Sequence, residues 1–132
     1  MPLMNIMLID DDDIFNMLSG IALKKVFNEL NLMVFSSANG AIDFIEESIS
    51  EPDKIPEVIF LDINMPVMNG FEFLDHISQY PEEVLGKIKV VMLTSSMYET
   101  DKDKSLAYPL VKHYLEKPLT IQKVNDLKLY GQ

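Results

Sequence analysis

The sequence contains no cysteine and no arginine, and it has only two histidines. Without cysteine the fold does not depend on an oxidising compartment, and two histidines leave little from which to build a zinc site. No apolar run approaches the roughly 20 residues of a membrane-spanning helix, and residues 1–5 lack the basic segment of a secretory signal. We therefore expect a cytoplasmic protein that does not insert into a membrane.

Positive charge is also scarce. The 132 residues carry 11 basic residues, all lysine, against 21 acidic residues, a formal net charge of −10 at pH 7. A chain this acidic, with no arginine, is poorly suited to gripping a phosphate backbone, so we expect no direct binding to nucleic acid. Acidic residues that gather in one place would instead attract a divalent cation.

What the sequence does contain is an alternation of five strand-like and five helix-like segments, without repeats, linkers or low-complexity tracts. Short apolar runs predict strands at 5–9, 32–35, 58–61, 90–93 and 111–116. Such alternation is typical of βαβ units, so we predict an α/β fold with a doubly wound parallel sheet between helices. One domain, 1–132, accounts for the whole chain, and we expect no output domain after the last helix.

The first predicted helix follows four successive aspartates, Asp10 to Asp13, one of which can serve as its N-cap. Its apolar residues fall near a 3.6-residue period and predict the buried face: Ile14, Leu18, Ile21, Ala22 and Val26, widened by Phe15, Met17 and Leu23. We interpret 80–89 as a loop and 100–107 as a short, very polar fourth helix. Thr120 is the predicted N-cap of the last helix.

Polar residues stand directly after four of the five predicted strands: Asp10 and Asp11, then Asp62, Thr94 and Lys117. Taken alone, Asp62 is a turn former or helix cap, and a run of aspartates is usually just solvated. Because the carboxyl ends of parallel strands lie on one edge of a sheet, however, we expect these side chains to meet there. Their regular placement therefore favours a shared site.

Three carboxylates brought together repel one another unless a cation lies between them, and Mg²⁺ prefers carboxylate, water and phosphate oxygens. Asp62 can then act as a nucleophile and form an aspartyl phosphate. Mg²⁺ and Lys117 would neutralise the phosphoryl charge, and the Thr94 hydroxyl would donate to a third oxygen. His76 and His113 belong to no catalytic set that the spacing supports, and no glycine-rich phosphate loop is present.

In order and spacing these residues resemble the response-regulator receiver domain, and more particularly its chemotaxis-receiver-like members. The resemblance runs from Ile6 to about Tyr130. Its motifs are Leu8-Ile9-Asp10-Asp11-Asp12, Leu61-Asp62-Ile63-Asn64-Met65-Pro66 with Gly70, Leu93-Thr94-Ser95 and Lys117-Pro118. It implies a flavodoxin-like sheet with strand order 2-1-3-4-5 and five helices.

The resemblance also implies a Mg²⁺-dependent phosphoryl transfer to Asp62 from the phosphohistidine of a sensor histidine kinase or phosphotransfer protein. Asp11, Asp62 and the backbone carbonyl of Asn64 would hold Mg²⁺, with Asp10 helping through water. The chain would then be a stand-alone phosphoacceptor switch that acts on an unknown downstream protein. It would catalyse only its own phosphorylation and dephosphorylation.

The same resemblance implies a conformational switch and two residues that set the lifetime of the phosphoryl group. Thr94 pairs in the family with an aromatic residue on the fifth strand, and Tyr114 matches that position. A half-buried strand tyrosine is the ordinary interpretation of the same residue. Asn64 and Ser96, each two residues beyond a site residue, match positions that tune the lifetime of the phosphoryl group.

An enzyme is the alternative hypothesis. The run Asp10-Asp11-Asp12 can be read as the Asp-x-Asp of a Mg²⁺-dependent phosphohydrolase of the haloacid dehalogenase type. That interpretation leaves Asp62 without its nucleophilic role, and the short chain has no room for a cap domain. A third hypothesis, an inert receiver used only as an interaction surface, is disfavoured by the complete set of site residues.

Overall fold

A computed structural model describes residues 3–129 of the chain. The two ends of the predicted domain, 1–2 and 130–132, and with them the end of the resemblance at Tyr130, lie outside the described residues. Five parallel strands form one sheet in the order β2-β1-β3-β4-β5. The strands are β1 (Met4–Ile9), β2 (Leu30–Phe35), β3 (Val58–Asp62), β4 (Lys89–Thr94) and β5 (Val111–Glu116). The helices are α1 (Asp13–Val26), α2 (Ala38–Ser48), α3 (Gly70–Ile77), α4 (Glu82–Leu85), α5 (Glu99–Leu106) and α6 (Ile121–Leu127).

The three central strands are apolar on both faces because helices cover both sides of the sheet. Alternate residues of each strand point to opposite layers. Met7 and Ile9 of β1 join the core under α2 and α3, whereas Ile6 and Leu8 join the core under α1 and α6. Within residues 3–129, no helix has the length and apolarity needed to cross a membrane.

The predicted α/β class, parallel sheet and strand order are confirmed, but the predicted number of helices is wrong. Residues 3–129 contain six α-helices instead of five. The additional one, α4, lies in the stretch 80–89 interpreted as a loop, where it follows Pro81 and buries Val84. A single helical turn has too few residues to show a helical period, so the sequence pattern does not reveal it.

The predicted inward face of α1 is wrong in part. Ala22 and Leu23 are buried as expected, but the remaining buried residues are Asn16, Ser19 and Gly20. A Cβ atom at Gly20 would lie 3.3 Å from Cδ2 of Leu32, so the helix passes close to β2 at this point. The close approach of small residues turns α1 so that several large apolar side chains face solvent: Ile14, Met17, Leu18 and Ile21.

Helix α3 begins directly against the end of β3. Asn69 caps it, since the Asn69 side chain accepts from the Glu72 backbone N–H while the Glu72 side chain accepts from that of Asn69. The backbone N–H of Gly70 donates to the Ile63 carbonyl at 2.8 Å. A Cβ at Gly70 would lie only 2.6 Å from the backbone carbonyl oxygen of Asp62, so this position accepts glycine alone without a backbone shift.

Substitution Gly70→Ala should lower the free energy of unfolding by about 1–3 kcal/mol, because the methyl group forces α3 away from the Asp62 carbonyl. Urea unfolding followed by circular dichroism measures the change. Gly20→Ala is the matched control: its methyl meets only the flexible end of Leu32, and alanine favours a helix interior by about 1 kcal/mol. Equal stability of the two variants would contradict this account.

An acidic cluster at the carboxyl edge of the sheet

Asp10, Asp11 and Asp62 come together where β1 and β3 end. Strands β1 and β3 are hydrogen-bonded neighbours with Ile9 opposite Leu61, so the residues that follow them emerge side by side. One carboxylate oxygen from each aspartate lies within 4.8 Å of the others. Asp10 and Asp62 are buried, while Asp11 is exposed and opens the cluster to solvent. A donor set made only of carboxylate oxygens fits a hard divalent cation such as Mg²⁺.

Lys117 supplies the positive charge within this cluster. Its Nζ lies 2.6 Å from Oδ2 of Asp10 and 3.2 Å from Oδ1 of Asp62, and its side chain is only 6% exposed. The ring of Phe15 lies beside the same ammonium, with its centroid 4.6 Å from Nζ. The backbone N–H of Lys117 donates to the Thr94 carbonyl at 2.8 Å, which ties the residue after β5 to the end of β4.

Burial and the contact between opposite charges act in opposite directions on the pKa values of Asp62 and Lys117. Burial, reinforced by the charge of Asp10, raises the pKa of Asp62 to about 6, while Lys117 and the Asn64 backbone N–H act in the opposite direction. Burial on its own would lower the pKa of Lys117. The hydrogen bond to Asp10 and the charges of Asp62 and Asp10 outweigh that effect, and the pKa of Lys117 is raised. The ammonium therefore stays charged at neutral pH.

The loop between β1 and α1 holds Asp10 in place. Asp12 is the N-cap of α1: one of its carboxylate oxygens accepts from the backbone N–H groups of Ile14 and Phe15, at 2.9 and 3.3 Å. The Asp12 backbone N–H donates to Oδ1 of Asp10 at 2.9 Å, and Asn16 Nδ2 donates to the Asp10 carbonyl at 2.8 Å. Successive aspartates thus differ in role, because Asp12 caps the helix whereas Asp10 faces Lys117.

Thr94 lies at the end of β4, where it is buried, but its hydroxyl turns toward its own loop. It donates to the Ser96 carbonyl at 2.7 Å and accepts from the Ser96 backbone N–H at 3.1 Å. Ser96 is therefore the turn partner of Thr94 in this arrangement. Asn64 is exposed in the loop after β3, and within residues 3–129 no hydrogen-bond donor reaches its carbonyl oxygen.

Tyr114 lies on β5, opposite Met92 of β4, and is 8% exposed. Among the described residues its buried hydroxyl has no hydrogen-bond partner in acceptable geometry. Burial and the nearby acids Asp101 and Glu99 of α5 raise its pKa, while the Thr94 hydroxyl works in the opposite direction. The structure thus places the two residues of the predicted switch near each other without joining them by a hydrogen bond.

Two residues around the cluster were not predicted as site residues. Phe15 was assigned to the apolar face of α1, yet it lies against Lys117. Asn16 carried no prediction, yet it is buried and holds the Asp10 carbonyl. Asn16 lies opposite the predicted apolar face of α1, so the helical period gives no signal for its burial, and no pattern distinguishes Phe15 from a core residue.

Comparison with known proteins identifies the same family that the sequence motifs resemble. The model of the family described as response regulator receiver domain matches residues 6–127 of this chain. The sensor histidine kinase CheAY of Helicobacter pylori is 26% identical over 114 residues, which are 83% of this chain but only 14% of CheAY. This chain therefore spans a small part of that relative's length.

Two solved structures are similar over most of their length. A two-component response regulator from Cytophaga hutchinsonii is 32% identical with a TM-score of 0.89, and the match covers 100% of both chains. The Mn²⁺-bound form of response regulator Rcp1, a protein of Synechocystis, is 27% identical with a TM-score of 0.73. That match covers 94% of this chain and 88% of the other.

Substitution Asp62→Asn should stabilise the metal-free protein at neutral pH. The pKa of Asp62 rises from 3.8 to about 6 on folding, so the folded state favours the protonated carboxyl group. The stability that comes from this preference is fully present below pH 4 and is lost as the pH rises through 6, where the buried carboxyl ionises. The amide that replaces the carboxyl group does not ionise, so the variant keeps this stability. The free energy of unfolding of the variant should exceed that of wild type by an amount that grows between pH 4 and 6 to about 1–3 kcal/mol. Urea unfolding in EDTA across this range measures it.

The matched control is Asp43→Asn, which neutralises an exposed aspartate of α2 and should show no such pH-dependent gain. Added Mg²⁺ should narrow the difference between wild type and Asp62→Asn, because a cation stabilises the ionised carboxylate. A gain for Asp62→Asn that is the same at pH 4 and pH 7 would contradict the burial argument.

Substitution Tyr114→Phe should leave the unmodified protein as stable as wild type or raise its free energy of unfolding by about 1 kcal/mol, because it removes a buried hydroxyl without a partner. Thermal unfolding measures the change. Tyr108→Phe is the comparison: the Tyr108 hydroxyl donates to Asp75 Oδ1 at 2.6 Å, so its loss should be destabilising. A larger loss at Tyr114 than at Tyr108 would show that the Tyr114 hydroxyl has a partner in solution.

Proposed function

The chain belongs to the response regulator receiver domain family of two-component signalling, and on that basis we propose that it is a phosphoacceptor switch in which Asp62 receives the phosphoryl group. One observation carries this proposal. Asp62 is a buried carboxylate at a strand end, within 3.2 Å of the Lys117 ammonium and beside two further carboxylates. This arrangement joins a nucleophile, a fixed positive charge and a cation-binding donor set.

In the proposed transfer, a carboxylate oxygen of Asp62 attacks the phosphorus of a phosphohistidine on a sensor kinase or phosphotransfer protein. The O–P bond forms as the P–N bond breaks, and the imidazole leaves with the electron pair and takes a proton from water. Lys117, already 3.2 Å from Asp62, neutralises negative charge on the transferring group. The attacking carboxylate must be ionised, and the pKa of about 6 leaves it so at neutral pH.

Asp10, Asp11, Asp62 and the backbone carbonyl of Asn64 would hold Mg²⁺. When bound, the ion supplies charge neutralisation for the phosphoryl oxygens and favours the ionised form of Asp62. The all-oxygen donor set and the Asn64 carbonyl, which has no donor among residues 3–129, support this assignment. Response regulator Rcp1, a similar fold, has been solved in a Mn²⁺-bound form, which supports a divalent ion as the ligand.

We further propose that Thr94 and Tyr114 form the switch. A phosphoryl group on Asp62 offers the Thr94 hydroxyl a charged acceptor in place of the Ser96 carbonyl, which it now meets at 2.7 Å. Movement of Thr94 would change the surroundings of the Tyr114 hydroxyl and bias the surface of α5 and β5 toward a downstream protein. Asn64, beside Asp62, and Ser96, the partner of Thr94, would tune how long the phosphoryl group lasts.

The partners that this proposal requires are a histidine kinase or phosphotransfer protein and one downstream protein target. The absence of cysteine is compatible with the cytoplasm, and the net charge of −10 argues for a protein target over a nucleic acid.

No observation favours the phosphohydrolase alternative. That mechanism needs Asp10 as the nucleophile, but both of its carboxylate oxygens are occupied. Oδ1 accepts from the Asp12 backbone N–H at 2.9 Å, and Oδ2 accepts from Lys117 at 2.6 Å. Asp62 also meets Lys117, but at the longer distance of 3.2 Å, and it lies next to the exposed Asp11.

Incubation with Mg²⁺ and acetyl phosphate should add one phosphoryl group to the wild-type chain, measured by intact-protein mass spectrometry. Asp62→Asn should abolish the added mass because the nucleophile is gone, and EDTA should abolish it for wild type. Asp43→Asn makes the same change at an exposed aspartate of α2 and should be labelled like wild type. Labelling of Asp62→Asn to the wild-type level would refute the proposed function.

A further inference from the structure

Four large apolar side chains of α1 face solvent although their period predicts burial. Ile14, Met17, Leu18 and Ile21 are 64, 59, 41 and 49% exposed. Their spacing of i, i+3, i+4 and i+7 places them in one stripe along the helix, on the side away from its buried residues. We call these four residues the α1 stripe. Contiguous exposed apolar surface of this kind marks an interaction site.

We propose that the α1 stripe pairs with the α1 stripe of a second copy of this chain, in an antiparallel arrangement about a two-fold axis. The stripe is symmetric about the midpoint between residues 17 and 18. An antiparallel pair centred there sets Ile14 of one copy against Ile21 of the other and Met17 against Leu18. Every apolar residue of the stripe thereby meets an apolar residue, as an isologous contact requires.

Charge selects the same arrangement. Asp13 opens α1 and Lys24 and Lys25 lie in its last turn, so the helix is acidic at one end and basic at the other. Asp13 and Lys24 also lie on one flank, because both line the groove of about 380 Å³ between α1 and β2. In the antiparallel pair, Asp13 of each copy lies opposite residue 22 of the other, and Lys24 follows two residues further along on the same flank, so the acidic end of each helix lies beside the basic end of the other. A parallel pair would instead bring the two acidic ends together and the two basic ends together.

The groove beside the stripe adds apolar surface from the edge strand β2. Val34 is 49% exposed and, with the half-buried Leu32, lines the groove next to Met17 and Ile21. The resulting patch is still smaller than a standard interface of about 1,600 Å², and the net charge of −10 on each copy opposes association. We therefore expect a weak, reversible dimer, and this expectation does not depend on the proposed function.

Sedimentation equilibrium of the full chain over a micromolar to millimolar series should show a monomer–dimer equilibrium. Ile21→Glu places a charge within the stripe and should raise the dissociation constant about tenfold or more. Leu106→Glu is the matched control: it alters a 45% exposed apolar residue of α5 and should dissociate like wild type. Circular dichroism and thermal unfolding verify that each variant is folded.

A charge exchange tests the antiparallel register. Lys24→Asp should weaken the dimer because it leaves Asp13 beside a like charge, and the double variant Asp13→Lys with Lys24→Asp should restore it. High salt should reduce these differences. A wild-type chain that stays monomeric throughout the series, an Ile21→Glu variant that associates like wild type, or a double variant that is no tighter than Lys24→Asp would each overturn the proposal. Monomeric wild type combined with slower phosphorylation of Ile21→Glu by a phosphodonor protein would assign the α1 stripe to that partner instead.

Discussion

The structure depends on the burial of two carboxylates, Asp10 and Asp62, at neighbouring strand ends. Burial and the charge of Asp10 both favour the neutral form of Asp62, so its carboxylate needs a compensating charge to stay ionised. Lys117 provides that charge at 2.6 and 3.2 Å. One ammonium between two buried carboxylates and the exposed Asp11 leaves the cluster negative, and this residual charge makes the site suitable for a divalent cation.

The remainder of the fold holds these charges at fixed distances. The parallel register places the ends of β1 and β3 side by side, and the Lys117 backbone is tied to the end of β4. Asp12 caps α1 while its own N–H orients Asp10, and Gly70 lets α3 begin against the Asp62 carbonyl. Stability and site geometry therefore draw on the same contacts, so a change that loosens either loop should affect both.

The sequence pattern revealed the parts of the structure that depend on strands. Continuous apolar runs indicate strands buried on both faces, and polar residues directly after them must share an edge once the strands are parallel. The pattern could not reveal the rotation of α1, because that depends on how closely Gly20 approaches Leu32 and on the hydrogen bond of Asn16 to the Asp10 carbonyl. It also could not reveal the single turn of α4 or the direction of the Thr94 hydroxyl, which are settled by local hydrogen bonds.

The hydroxyls of Thr94 and Tyr114 explain how a small chemical event could change this arrangement. Thr94 makes two hydrogen bonds with Ser96, so leaving its present position costs both of them. Tyr114 buries a hydroxyl without a partner among the described residues, which makes the present position less favourable by a comparable amount. The hydrogen bonds of Thr94 favour the present position, whereas the buried Tyr114 hydroxyl disfavours it. The free-energy difference between the two positions of the pair is therefore smaller than either contribution. In the proposed switch, a charged acceptor formed at Asp62 would need to supply only that difference to reverse the preference.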